Sequence, residues 1–383
     1  MVARALGLAL LLFLESTAEG QTGMSRERHE REWEVKAKKM ERHLLPTMRK
    51  HGFDMWILMS RENHPDPILD LFGAYGVSGW YGHRNAYIFY DAGEGEPLET
   101  TVLGTHLSDH LKRFYTNVVT YGEEGLAVHL GKHVEERDPE KIAINRSRTI
   151  SMADGLTSSL EEYLLEAISP LYAERLASSE PLAIDYISYR TDEELQIERE
   201  ASWITYHILK RAFSNEVITP GRTTLMDVYW WIVDEWKAQD LEFNFPPGLD
   251  IQRKGVEDRL DDALDPVIRP GDLLHVDFGV RLMGLVTDQQ KMAYVLRRGE
   301  RNAPPGLRQA FSQSRRLGEI ILDELKPGVL GHVVKERAEE RGIGEGILNS
   351  VYPHAQGNWV HDAGAWVSFD WPESLRLHFQ TKR

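Results

Sequence analysis

Two aspartates, Asp277 and Asp288, stand eleven residues apart in a largely apolar stretch of the chain. The residues around them are typical of two strands joined by a tight turn, which is a β-hairpin. With a Leu282-Met283 loop the two aspartates are directly opposed. With a Met283-Gly284 loop, Asp288 faces Gly279 and lies diagonal to the first aspartate. Either register places both carboxylates on one face of the sheet, because side chains alternate between the faces of a strand.

Two carboxylates that share an apolar sheet repel each other and are costly to desolvate unless a positive charge lies between them. A divalent metal ion is the simplest such charge, so the pair predicts a metal site. The alternative is that Asp277 caps the turn while Asp288 faces solvent. The chain contains no cysteine, and its metal ligands would therefore be carboxylates and imidazoles.

Two histidines, His354 and His361, stand seven residues apart in the segment HAQGNWVHD near the C-terminus. Taken alone, such a pair is typical of an irregular loop in which each ring has a backbone partner. Beside a carboxylate site the pair has a second interpretation, because a neutral imidazole suits Mn, Co, Zn and Fe(II).

Length and composition narrow the class of protein. A chain of 383 residues predicts two domains, each large enough to bury a core of its own. Hydrophobic residues at 42% and charged residues at 27% are typical of a globular protein. The net charge of −15 argues against a nucleic-acid partner, which requires clustered lysines and arginines.

The first twenty residues are typical of a secretory signal peptide: Arg4 is followed by the apolar run 5–14 and by small residues near Ala18. The run is too short to span a bilayer, and no later segment is apolar enough to do so. We therefore expect a periplasmic or secreted protein with no membrane partner once residues 1–20 are removed. The alternative is a buried N-terminal helix, in which case the protein is cytoplasmic.

Alternating strand-like and helix-like segments predict an α/β (α+β) fold in two domains, residues 25–188 and 189–383. In the first domain we expect a helix over 25–52, strands at Asp54–Met59, Ala86–Tyr90, Thr100–Leu103 and Lys141–Ile144, and a helix at Leu156–Ile168. In the second, Thr191 and Glu194 form a capping-box signature that predicts a long helix ending near residues 218–221. Another helix is expected from Thr224 to Gln239.

The hairpin sequence HVDFGVRLMGLVTDQQKMAYVL and the segment HAQGNWVHD resemble motifs of the metallopeptidase superfamily of methionine aminopeptidase, prolidase and aminopeptidase P. The resemblance covers roughly residues 190–370. It implies a pita-bread catalytic domain, preceded by the α/β domain of the creatinase and prolidase branch. It also implies that Asp277, Asp288 and His354 are metal ligands, and that His361 binds substrate and stabilises the transition state.

The same resemblance implies metal-dependent hydrolysis of Xaa-Pro bonds in small peptides, by an aminopeptidase or a dipeptidase. An intact site of this family holds two divalent metal ions, with Mn(II) favoured and Co(II), Zn(II) or Fe(II) as alternatives. Larger members often dimerise through the N-terminal domain, so the resemblance also allows a homodimer.

The sequence departs from the family pattern after His361. The family completes its site with two glutamates on downstream strands, whereas only 22 residues follow His361, and Glu373 lies too close to it to match the first glutamate. We therefore expect an incomplete pita-bread domain without its last strands, and impaired activity. The alternative functions are a non-catalytic peptide-binding remnant of this fold and a creatinase-like amidinohydrolase, which uses the fold without metal. The two retained aspartates count against the amidinohydrolase.

Overall fold

The structure, a computed structural model, describes residues 25–73, 83–105, 107–261 and 264–364. The predicted signal peptide, residues 1–20, lies outside these residues, as does Glu373. Strands and helices alternate along the described chain, and the predicted α/β class is confirmed. Among the described residues, no helix has both the length and the apolar character needed to cross a bilayer.

The chain divides into two compact units. The N-terminal unit is Glu32–Thr191. The C-terminal unit contains the residues from Asp192 onward, together with residues 25–31.

The N-terminal unit is built on a six-stranded mixed sheet. Its strands are β1 Met55–Arg61, β2 Arg84–Tyr90, β3 Glu99–Gly104, β4 Asn117–Thr120, β5 Ile142–Ile144 and β6 Leu176–Ser178. The strand order is β4-β3-β2-β1-β5-β6. β2 is antiparallel to β1 and β3, and the remaining neighbours are parallel.

The helices of this half of the chain begin with α1, residues 25–39. α1 continues through a π-helical turn, Met40–Leu44, into α2, Leu45–Lys50. The other helices are α3 Gly125–Arg137, α4 Ser158–Ala167, α5 Pro170–Ala173 and α6 Glu180–Ser188. Together α1, the π turn and α2 occupy the region in which one helix is predicted.

The central sheet is buried on both faces, which explains the uninterrupted apolar run of β1. One face packs against α3 and α4 through aliphatic side chains such as Ile57, Leu130 and Leu164. On the other face Trp56 contacts the ring of Phe72, with 5.5 Å between ring centroids. Each fully buried side chain of this size contributes roughly 1.5–3 kcal/mol to folding.

The four strands predicted from the sequence are confirmed as β1, β2, β3 and β5, and the helix predicted at Leu156–Ile168 is confirmed as α4. The sequence analysis missed β4 and β6, the two outermost strands of the sheet. Both are short and only partly buried, so neither has the apolar alternation by which a strand is recognised.

The C-terminal unit contains two small antiparallel sheets, with strand orders β13-β10-β8-β9 and β12-β11-β7. In chain order the strands are β7 Glu242–Phe243, β8 Gly248–Gln252, β9 Leu260–Asp261, β10 Leu273–Phe278, β11 Val280–Leu282, β12 Leu285–Val286 and β13 Gln289–Tyr294. The helices are α7 Asp192–Ala212, α8 Leu225–Ala238, α9 Pro305–Glu324 and α10 Gly331–Gly344.

The helix predicted from Thr224 is confirmed as α8, which begins with a capping box between Thr224 and Asp227. The predicted end of α7 near residues 218–221 is wrong, because the helix ends at Ala212. The Ser214 hydroxyl donates to the carbonyl of Arg211 at 2.7 Å, and such side-chain bonds compete with the hydrogen bonds of a continuing helix.

A buried carboxylic acid, Asp66, lies in the core of the N-terminal unit and is 1% exposed. Its Oδ1 accepts hydrogen bonds from Asn145 Nδ2 at 2.9 Å and from the Ile68 amide at 3.1 Å, while its Oδ2 is buried and finds no partner in the part of the chain that the structure describes. Gly155 packs directly against the carboxyl group, where a Cβ would lie 2.2 Å from Asp66 Cγ. Burial, which outweighs the two hydrogen bonds, raises the pKa of Asp66 to about 7.

We predict that Asp66→Asn stabilises the protein at high pH. The folded state holds the Asp66 proton more tightly than the unfolded state does, so this group's contribution to stability is present at low pH and is lost as the pH rises toward 7. A pKa raised by about three units corresponds to at most about 4 kcal/mol. The difference in thermal midpoint between Asp66→Asn and wild type should become more positive from pH 5 to pH 8. Glu96→Gln, on an exposed loop, serves as the control. A difference independent of pH would contradict the assignment.

Candidate functional site

The hairpin that carries the two aspartates turns at Met283-Gly284, which is the second of the two predicted registers. Both loop residues have positive φ, +49° and +76°, as a two-residue hairpin turn requires. In β10 and β13, Asp277 pairs with Gln290, and continuing this register places Asp288 across from Gly279. The two carboxylates therefore lie diagonally on the same face.

β10 separates an apolar surface from a polar one. Leu274, Val276 and Phe278 are buried, whereas the alternate side chains, which include His275 and Asp277, are only partly buried. On the apolar side the ring of Phe278 stacks on Trp236 of α8, with centroids 6.0 Å apart. Packing of this face fixes the strand, and the strand in turn fixes the direction in which Asp277 points.

Gly279 interrupts the hairpin between its two sheets because another part of the backbone approaches it closely. A Cβ at this position would lie 1.6 Å from the carbonyl oxygen of Thr287. Asn244 Nδ2 donates to the same oxygen at 2.9 Å. Only glycine fits here, so Gly279, which follows Asp277-Phe278, has a steric role next to Asp288.

The histidine segment docks on the hairpin. The Val286 amide donates to the Gly357 carbonyl at 2.7 Å, and Asn358 Nδ2 donates to the Gly284 carbonyl at 3.2 Å. The loop is closed on itself by Asp362, whose Oδ2 accepts from the Asn358 amide at 2.8 Å. These bonds bring residues far along the chain back to Asp288.

All four residues predicted from the sequence, Asp277, Asp288, His354 and His361, meet in one cluster. Nε2 of His354 lies 3.2 Å from Asp288 Oδ2, and the rings of the two histidines are 4.5 Å apart, edge to face. The two carboxyl groups are close enough for each to shift the pKa of the other. Asp277 Oδ2 also accepts from Gln290 Nε2 at 3.3 Å, while its Oδ1 is buried and has no hydrogen-bond partner among the described residues.

The pKa values follow from these contacts. Burial, together with the like charge of Asp288, raises the pKa of Asp277 to about 6. The hydrogen bond from His354 lowers the pKa of Asp288, and the same bond raises the pKa of His354. Loss of water around the His361 ring, with repulsion from its neighbour His354, lowers the pKa of His361. The pair of carboxyl groups therefore retains a proton at mildly acidic pH.

The donor atoms fit a divalent cation of borderline hardness, since two carboxylates and imidazole nitrogens lie together and one buried carboxylate oxygen has no partner. The arrangement is not a formed metal centre. Among the described residues, no three histidine, aspartate or glutamate side chains are placed so that they could hold one ion. Asp288 instead hydrogen-bonds to its neighbours.

Sequence analysis missed a second row of polar residues on the same face. His275 Nδ1 donates to Asp250 Oδ2 at 2.9 Å, and His275 Nε2 lies 3.1 Å from Oε1 of Gln290. Gln290 thus joins this row to Asp277. The signal is present in the sequence only as period-two alternation along β10, and it becomes visible once the pairing partner of each residue is known.

No protein-family model matches the sequence, and no curated protein matches it. Solved structures match over most of the chain. The Xaa-Pro dipeptidase from Bacillus anthracis is 19% identical with a TM-score of 0.59, over 86% of this chain and 84% of that one. The X-Pro aminopeptidase from Thermotoga maritima is 16% identical with a TM-score of 0.62, over 88% and 87%. The prolidase from Thermococcus sibiricus is 16% identical with a TM-score of 0.57, over 87% and 84%. The chain has the two-domain fold of these enzymes, as the sequence motifs predict.

We predict that Asp288→Asn lowers the pKa of Asp277. The substitution removes the like charge, whereas burial, the larger cause, remains, so the pKa should fall from about 6 and stay above its ordinary value. Carboxyl-carbon NMR titration measures this shift directly. Asp258→Asn, at an exposed position of the same unit, should leave the Asp277 titration unchanged. An unaltered pKa in Asp288→Asn would mean that the two carboxyl groups do not interact.

Proposed function

We propose that this protein is a metal-dependent peptidase that cleaves Xaa-Pro bonds in small peptides. The observation that carries the proposal is the meeting of Asp277, Asp288, His354 and His361 in one partly buried cluster. The fold, shared with proteins described as Xaa-Pro dipeptidase and X-Pro aminopeptidase, supports the same reaction class. Fold alone does not define an activity, so the proposal depends on the residues of the cluster.

In this proposal Asp277, Asp288 and His354, which lie together but are not arranged around one ion among the described residues, would move closer to hold a divalent cation when it binds. When bound, such an ion lowers the pKa of water and polarises the scissile carbonyl group. The chain must first release the proton that the two carboxyl groups retain, and His354 must present a neutral nitrogen. The unpartnered Oδ1 of Asp277 is an acceptor that no described residue satisfies, and a cation would satisfy it.

His361 has a different role in this proposal. It lies edge-on to His354 on the more exposed side of the cluster, and its lowered pKa keeps the ring neutral near pH 7. A neutral imidazole N–H can donate to the oxygen of a substrate carbonyl as negative charge develops on it. We therefore assign substrate contact to His361 and not cation binding.

The second candidate function is peptide binding without catalysis. It is favoured by one observation: the described residues contain no three side chains placed to hold a single ion. A site of this kind would bind a cation weakly and turn over slowly or not at all.

We predict slow, Mn(II)-dependent hydrolysis of an Xaa-Pro dipeptide, measured as release of free proline. Asp288→Ala should abolish it by removing a ligand, and His361→Ala should lower kcat by about 10²-fold, as the loss of one oxyanion donor does. His207→Ala changes a histidine on the outer surface of α7 and should leave the rate unchanged. Turnover that survives both a chelator and Asp288→Ala would contradict the peptidase proposal. Mn(II) binding without turnover would favour the peptide-binding function.

We further predict weak binding of Mn(II) that tightens as the pH rises from 5 to 8. Asp277 and His354 both have raised pKa values, and each must lose its proton to become a ligand. Titration calorimetry should show binding that is lost in His354→Ala and retained in His361→Ala and His207→Ala. Two tight sites per chain, or affinity independent of pH, would show that other residues hold the metal.

A further inference from the structure

Asp288 stands between two residues that are both tied to the same helix, α7. On one side the hydroxyl of Thr287 lies 2.7 Å from the hydroxyl of Thr205. On the other side Gln289 Nε2 donates to the Ser202 carbonyl at 2.9 Å. The backbone that carries Asp288 is therefore anchored immediately before and immediately after it.

The Thr205–Thr287 contact is one link of a chain of hydrogen bonds. Thr205 Oγ1 can donate to the Ala201 carbonyl at 2.9 Å and Thr287 Oγ1 to the Val280 carbonyl at 3.4 Å, so either hydroxyl can donate the bond between them. Thr287 Oγ1 in turn accepts from the Val280 amide at 3.0 Å. Both threonines are almost fully buried, at 0% and 1% exposure, so water cannot replace a lost partner at low cost.

The main chain at Thr287 is fixed as well. Its amide donates to the Val280 carbonyl at 2.9 Å, and its own carbonyl accepts from Asn244. Gly279 leaves the space that this carbonyl occupies. Every polar group of Thr287 thus has a partner, although the residue itself does not face the cluster.

This anchoring matters because a second carboxylate, that of Asp277, lies next to Asp288. Asp277 repels Asp288, and a freely moving segment would relieve that repulsion by moving away. The Asp288 side chain is held by His354 at 3.2 Å, and the bonds of Thr287 and Gln289 add resistance to this movement from the backbone.

We infer that Thr205 is a positioning residue, which acts through Thr287 to hold the Asp288 carboxylate beside Asp277 and His354. Only one readout of this inference, the Mn(II) affinity, rests on the proposed function, because the hydrogen-bond chain exists independently of any ion. Helix α7 becomes part of the site's construction although none of its side chains belongs to the cluster.

The test compares Thr205→Val, which keeps the shape and removes the hydroxyl, with Thr205→Ser, which keeps the hydroxyl. Thr101→Val in the N-terminal unit removes an equally buried hydroxyl elsewhere and serves as the matched control. Native-state hydrogen exchange is measured at the Val280 and Thr287 amides, Mn(II) affinity by calorimetry, and the thermal midpoint for each variant.

In Thr205→Val we expect exchange at these two amides to accelerate at least ~10-fold, and Mn(II) affinity to fall by about 10–100-fold, as is typical when a partner of a ligand is lost. Thr205→Ser should restore both to within about threefold of wild type, and Thr101→Val should change neither. A lower midpoint in Thr205→Val with unchanged exchange at both amides would overturn the inference and leave Thr205 a purely structural residue.

The proposed function and the positioning role of Thr205 can be disproved separately. If the wild-type protein binds no Mn(II), the proposed function fails, and exchange alone then decides the inference. Faster exchange in Thr205→Val, reversed in Thr205→Ser, would still support the positioning role. Equal exchange in all variants would contradict it.

Discussion

Like charges at close range, on Asp277 and Asp288, are the constraint on which the architecture of the C-terminal unit depends. Side chains on flexible segments would separate until water screened them. Here Asp277 belongs to a strand paired on both sides, and Asp288 lies in a segment anchored to α7. The repulsion is reduced by the raised pKa of Asp277 and by the hydrogen bond from His354 to Asp288. The site is a place where folding energy holds together groups that would otherwise move apart.

The hairpin meets this constraint by using its two faces differently. Val276 and Phe278 bury apolar surface, and the energy of that burial fixes the strand. Asp277 stands between them on the opposite face, so it is positioned by contacts that it does not make itself. The histidine loop then docks on the turn of the same hairpin through main-chain bonds. One supersecondary element therefore orients all four members of the cluster.

Much of the fold and of the cluster can be predicted from the sequence, and the parts that cannot have physical causes. Spacing alone places both aspartates on one face, because the alternation of side chains along the strands gives that result with either two-residue loop. It does not choose the turn, because either two-residue loop requires a positive φ at Met283, which a residue with a side chain adopts only at a cost. The inner strands of the N-terminal unit contain apolar runs and can be predicted from the sequence. Its two edge strands lack such runs and cannot. The bond between Thr205 and Thr287 joins residues 82 positions apart, and only tertiary packing reveals it.

The docking of the histidine loop on the turn also has a cost in chain entropy. The two carboxylates meet within a local hairpin, whereas His354 reaches Asp288 across 66 residues of intervening chain. Closing the longer loop costs about 1.6 kcal/mol more in chain entropy than closing one of eleven residues. The aspartate pair is therefore a local feature of the hairpin, whereas its imidazole partner depends on closure of a much longer and entropically more costly loop.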